Sequence, residues 1–292
     1  MRITYKEESL KIDICFITST PHLSSHASLG HRQLCLAHKV LDDKEYAHYY
    51  SRMTKSVFSL SMKEKYVIMD NSAFEFEQQG RGVPIDKVLQ AAKIVTPSEL
   101  CAIDILFDGP GTVESVQRFL TYVDDKDPYM FNSTKMMAIP QGKNETEWLD
   151  CYEELVQMEG VDVIGFSKLS IPESFVGDHH TDGNCTRGRI KCLDFLVDHN
   201  MTPDVFGKET HLLGSDNLGL QELSYYYEKN YDFIRSNDTS MPFVYGYNGI
   251  KIKDNKVNHI LMDKLDFNKQ LTSDEMEAVD YNFLAWRTLN VK

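Results

Sequence analysis

Short apolar, β-prone runs recur along the chain, and longer stretches of helical period fill the gaps between them. The runs are Ile12–Ile17, Gln33–His38, Tyr66–Met69, Leu100–Leu106, Met136–Ile139, Val161–Phe166, Thr210–Leu213 and Asp232–Arg235. Apolar residues follow one another within them instead of strictly alternating, as in parallel strands covered on both faces. Pro84–Val95 reads as a helix with proline in its first turn and Ile85, Val88, Leu89 and Ala92 on one face. Helical period also marks Thr112–Tyr122, Glu145–Met158, Arg187–His199, Leu220–Asn230 and Ser273–Leu289, the last opened by a serine and acidic residues.

Eight strands alternating with helices predict an α/β fold, a TIM-type (β/α)8 barrel with irregular insertions, as one domain over 1–292. If Gln33–His38 begins a helix instead of a strand, an open doubly wound sheet is the competitor. Phe243–Asn268 reads as an irregular insertion or hairpin, and Pro172–Arg187 as a mobile loop.

Composition narrows the class. The 292 residues are 42% hydrophobic and 26% charged, as in a globular chain with a sizeable core. The formal charge is −13, the opposite of the usual sign for a protein that grips a phosphate backbone. Any nucleic-acid contact must then use a local patch, for which Lys168, Arg187, Arg189, Lys191, Lys251 and Lys253 are candidates. Cys15, Cys35, Cys101, Cys151, Cys185 and Cys192 show no disulfide spacing. No apolar run is long enough for a membrane span, and the first residues form no apolar signal region, so a cytoplasmic protein is expected.

In a barrel the chemistry lies where strands end. Here the ends deliver Asp70-Asn71-Ser72, Asp104, Pro140-Gln141-Gly142, Gly165, Leu213-Gly214 and Ser236-Asn237-Asp238-Thr239. Carboxylates that face one cavity repel, so at least one should bind its proton unusually tightly. Paired carboxylates serve glycosidic chemistry, one at the anomeric carbon and one moving a proton at the leaving group. A third can hold the edge of a guanine-type base, Gln141 can read a carbonyl, and Gly165 lets a base approach the backbone. The plainer reading keeps Asp70 as a helix cap and Asp238 as a turn residue. Asp104, between Ile103 and Ile105, needs a partner or a function.

Val67-Ile68-Met69-Asp70-Asn71-Ser72-Ala73-Phe74-Glu75 resembles the Asp-Ser-Gly-Gly-Phe-Gln motif of tRNA-guanine transglycosylases. Ala138-Ile139-Pro140-Gln141-Gly142 resembles that family's Val-Gln-Gly element, Val163-Ile164-Gly165-Phe166 its Ile-Gly-Gly run and His211-Leu212-Leu213-Gly214 its Leu-Met-Gly turn. The order holds across about 60–240. Ser236 to Ser240 and His22-Leu23-Ser24-Ser25 resemble the shorter phage and bacterial branch, the 7-deazaguanine DNA transglycosylases.

The resemblance implies exchange of guanine in DNA for a 7-deazaguanine of preQ0 type, protecting DNA from restriction. Asp238 would be the nucleophile on C1′ and Asp70 the general acid/base. Asp104 and Gln141 would read the base edge and Gly165 would contact it. Phe74 and Leu213 would sandwich its faces, with Ser72 beside them. The implied partners are double-stranded DNA with a flipped guanine and the free 7-deazaguanine base, without a cofactor. Ala73 and Phe166 replace the family's second glycines, and Asp232 is a neighbouring alternative nucleophile. The tRNA enzymes' zinc site has no counterpart, because no cysteine follows Cys192. His179, His180, Cys185 and Cys192 match no standard metal spacing. A tRNA-guanine transglycosylase, a purine-binding barrel without catalysis and an unrelated barrel hydrolase remain as alternatives.

Overall fold

The computed structural model describes residues 12–54, 65–78, 82–130, 133–252 and 265–289. Eight parallel strands follow one another: β1 Asp13–Phe16, β2 Arg32–Leu36, β3 Tyr66–Asp70, β4 Glu99–Cys101, β5 Lys135–Ala138, β6 Val163–Ser167, β7 Glu209–Leu213 and β8 Ile234–Thr239. From β2 to β8 each pairs with the next, and β1 pairs with β8. The remaining seam, between β1 and β2, is bridged by the Arg32 Nε to Asp13 Oδ2 ion pair at 3.0 Å. This is a nearly closed TIM-type (β/α)8 barrel.

Helices lie between the strands: α1 Ala37–Asp42, α2 Lys44–Thr54, α3 Ala73–Gln78, α4 Ile85–Val95, α5 Gly109–Lys126, α6 Glu145–Gln157, α7 Ser170–Val176, α8 Asn184–Asp198, α9 Gly219–Glu228, α10 Met241–Tyr247 and α11 Ser273–Leu289. Gln33–His38 is both things that its sequence suggested, since β2 ends at Leu36 and α1 starts at Ala37.

Three expected boundaries are corrected. The fourth strand stops at Cys101, which leaves Asp104 in the loop beyond it. The eighth does not end at Arg235 but runs to Thr239, and so carries Asp238 within the strand. Most of Pro172–Arg187 is not loop. Ser170–Val176 is helical and stops where Gly177, at φ +81°, gives its N–H to the Pro172 and Glu173 carbonyls. Of the expected 243–268 insertion, Phe243–Tyr247 belongs to α10, and 253–264 lie outside the described residues. No described helix is long and apolar enough to cross a membrane.

The barrel interior is layered. At the N-terminal end Arg235 pairs with Glu99 at 2.8 Å and with Glu209, Lys135 pairs with Glu209, and Tyr66 donates to Glu99 at 2.8 Å. Above this charged floor lie Cys15, Leu34, Ile68, Cys101, Met137, Ile139 and Val163. The polar mouth is at the C-terminal strand ends.

Candidate active site

β7 and β8 build one side of the mouth. A strand presents alternate residues to one face, so Glu209, His211 and Leu213 all point inward. His211 is fully buried. Its Nε2 lies 3.1 Å from Asp238 Oδ1, and its Nδ1 lies 2.8 Å from Ser236 Oγ. The Gly214 N–H donates to the same Asp238 oxygen at 2.9 Å. An amide N–H can only donate, so Oδ1 is an acceptor there. The consistent arrangement is an imidazole that gives its Nε2 hydrogen to Asp238 and accepts the Ser236 hydroxyl hydrogen at Nδ1. Among the described residues Oδ2 of Asp238 accepts no hydrogen bond. Asp238 is 4% exposed.

Asp70 ends β3, half-buried. Burial first, then the charge of Glu75, raises its pKa well above the ordinary aspartate value. The negative charges of Asp104 and Asp238 push the same way, and the Ser72 N–H, donated to Asp70 Oδ1 at 2.5 Å, opposes them. Asp104 and Asp238, the other two sequence-predicted carboxylates, therefore both stand within electrostatic reach of Asp70. The capping role foreseen for Asp70 falls to its neighbour: Asn71 Oδ1 accepts the N–H of Ala73, the first residue of α3, at 2.7 Å, while Asp70 holds only the Ser72 N–H before the helix. Ser72 sits at φ +64°, an uncommon conformation for a residue with a side chain, and its hydroxyl accepts from the His38 N–H at 3.3 Å.

Asp104 lies on the neighbouring side. Its Oδ1 accepts from Asn71 Nδ2 at 2.9 Å and its Oδ2 from Gln141 Nε2 at 2.6 Å, while Gln141 Oε1 accepts the Phe107 N–H at 3.1 Å. Asp104 and Gln141 thus form one buried network, each already holding the other. Gly165 faces the interior, but the space beside it is filled: an added Cβ would stand 2.8 Å from Met137 Sδ, 2.9 Å from Leu213 Cδ1 and 3.1 Å from Ile139 Cγ1. A base could reach this backbone only after Leu213 turned away. Phe74 is in α3, and its side chain lies outside the described residues.

The structure rearranges the secondary candidates. Asp232 precedes β8 at the far end of the barrel from the mouth, which removes it as a nucleophile of this site. Arg189 cannot track phosphate, because it is fully buried, pairs with Glu222 at 2.7 Å and donates to the Leu213 carbonyl at 3.1 Å. Lys191 pairs with Glu145 at 2.9 Å and Lys251 with Glu277 at 2.5 Å. Arg187 is tied to Asn184 Oδ1 at 3.0 Å. Lys168 is exposed at the mouth, its stem lying over Gly214. Lys253 lies outside the described residues. Among the described residues no three His, Cys, Asp or Glu side chains gather as a metal-ligand set.

Two side chains of the candidate site were not assigned from sequence. His211 had a signal, a polar residue inside the apolar run Thr210–Leu213, the same kind of signal that singled out Asp104. Asn71 had none, since its pairing with Asp104 is made across strands. Compared with known protein families and with curated proteins, the chain matches none of them.

Proposed function

We propose that this barrel exchanges a guanine base in DNA for a 7-deazaguanine through a covalent aspartyl–deoxyribose intermediate. The reading rests on two carboxyls at the C-terminal strand ends, with Asp238 near enough for its charge to act on Asp70. Asp238 is held as an acceptor by two N–H donors with one oxygen left over, which suits attack on C1′. Asp70 is pushed toward its protonated form, which suits donation to the departing base. A carboxyl with one oxygen free to attack, beside a carboxyl that holds its proton, is the pair that acid-assisted glycosidic displacement needs.

In the first step Asp238 Oδ2 attacks C1′, the bond from C1′ to guanine N9 breaks, and Asp70 supplies a proton to the leaving guanine. In the second, N9 of the incoming base gives a proton to Asp70 and displaces Asp238 from C1′. Two displacements at one carbon keep the configuration and leave the phosphodiesters intact. The base must first leave the duplex stack, at a cost of a few kcal/mol.

The test is to incubate the protein with a guanine-containing DNA oligonucleotide and resolve it under denaturing conditions. The native chain should give an adduct that Asp238→Asn does not, and radiolabelled 7-deazaguanine should enter DNA and not tRNA. An adduct that persists in Asp238→Asn overturns the assignment of the nucleophile. Label in tRNA alone overturns the substrate.

A further inference from the structure

Phe107 stands in the β4–α5 loop at φ +62°. A bulky side chain in the left-handed region is an outlier, costing of the order of 1–3 kcal/mol that glycine would avoid. The surroundings hold it there. Its N–H is taken by Gln141 Oε1 at 3.1 Å. Ile105 is clamped on both sides by Thr112 Oγ1, at 2.9 and 3.1 Å, and Asp108 caps α5 through the Gly111 N–H at 3.0 Å. This rigid turn keeps Phe107 out of the core and leaves Ile105 41% exposed beside it.

The ring meets two others. Phe107 and His179 have centroids 4.8 Å apart and planes 35° apart, and His179 and His180 are 3.9 Å apart. His179 is oriented by Glu173, whose Oε2 lies 2.6 Å from Nδ1. Two loops, after β4 and after α7, thus contribute a short run of rings at the rim. The amide of Gln141 links it directly to Asp104 in the mouth.

We propose that Phe107 and His179 form a stacking platform for a nucleobase of unpaired DNA next to the exchanged nucleotide. The inference rests on the base-exchange reading and adds to it how the strand is held. Charge points to the same occupant. Of the cations that could form a local phosphate-binding patch, Arg189 is buried against Glu222, Lys191 and Lys251 are paired with carboxylates and Arg187 is tied to Asn184, so much of the grip on DNA must come from contacts that need no positive charge. Stacking on aromatic rings is such a contact, and it accepts every base.

The experiment measures binding of a fluorescein-labelled single-stranded DNA dodecamer by anisotropy over a range of salt. It uses the native chain, Phe107→Gly and His179→Ala. Phe107→Gly removes the ring and the strained φ together, so its melting temperature should match or exceed that of the native chain. The expected results are roughly tenfold weaker binding by Phe107→Gly and a shallow dependence on salt that the substitution leaves unchanged. Undiminished binding by Phe107→Gly, a steep salt dependence, no binding by the native chain, or tighter binding of the same sequence as RNA each overturns the proposal. A label-incorporation assay separates the two readings. Ring-dependent binding without incorporation refutes base exchange and leaves the platform standing. Incorporation with ring-independent binding does the reverse.

Discussion

Replacing His211 tests whether its imidazole holds Asp238 in place. His211→Leu keeps the volume but removes both hydrogen bonds, to Asp238 Oδ1 and Ser236 Oγ. A hydrogen bond to a charged group contributes about 1.5–3 kcal/mol, and the neutral one from Ser236 Oγ, which keeps the Arg235 Nε–H as its other partner at 3.3 Å, about 0.5–1.5 kcal/mol. The change should therefore lower folding stability by about 2–4.5 kcal/mol, read as a lower guanidinium midpoint. His211→Asn is the finer probe. Its amide occupies the position of Cγ and Nδ1, so it keeps the Ser236 contact and loses only Asp238, for about 1.5–3 kcal/mol. On the proposed reaction the same loss falls on the second step, where Asp238 must leave C1′ as a carboxylate with one N–H donor fewer. Base exchange should slow roughly 10–100-fold, and the fraction trapped as adduct should rise. The reasoning is refuted if His211→Asn matches the native chain in both midpoint and exchange rate.

Three further outcomes follow from the same geometry. Gly165→Ala places a methyl within 3.1 Å of Met137, Leu213 and Ile139; overpacking should cost about 1–3 kcal/mol, and Leu213→Ala in that background should recover part of it in a double-mutant cycle of denaturation midpoints. Asp70 has a folded pKa above its unfolded one, so the stability it contributes is present below about pH 4 and lost as pH rises through the folded value; in melts from pH 4 to 8, Asp70→Asn should gain on the native chain as pH rises, and a loss instead would reverse the assigned sign. Arg189→Met strands a buried Glu222 and should cost about 3–5 kcal/mol, most of it restored by adding Glu222→Leu; equal midpoints for the single and double variants would mean that the pair is not the source of the loss.

The alternation of strands and helices was legible because a parallel barrel buries each strand on both faces, which leaves compact apolar runs in the sequence. The carboxylates at Asp70 and Asp104 were legible for the complementary reason, that an ionisable group amid Met69 or Ile103 needs explaining. Networks were less legible. Asp104 with Asn71 and Gln141, and Asp238 with His211, are contacts between residues 27 to 37 positions apart, and no local spacing encodes them. The surroundings of Gly165 were hidden for a related reason. Glycine in a strand marks a close approach, but only the packed structure tells that the approaching groups are Met137, Leu213 and Ile139.

The eighth strand was the hardest to read, and the cause is a single irregularity. Arg235 feeds the charged floor of the barrel and Asp238 its mouth, so both point inward although they are three residues apart. A regular strand has period two and puts such residues on opposite faces. The register with β7 shifts between Thr210 and His211: Thr210 pairs with Ile234 but His211 pairs with Ser236, leaving Arg235 as the extra residue. That bulge resets the alternation, so that Ser236 and Asp238 follow Arg235 into the interior. From the sequence, the pattern breaks at Arg235, and a strand ending there with Asp238 in a turn is the natural reading. In the fold, the same break lets one strand anchor the floor through a guanidinium and still deliver a carboxylate to His211 and the Gly214 N–H. Removing the extra residue would return Asp238 to the helical face, so the bulge, and not the aspartate alone, is what makes β8 part of the candidate site.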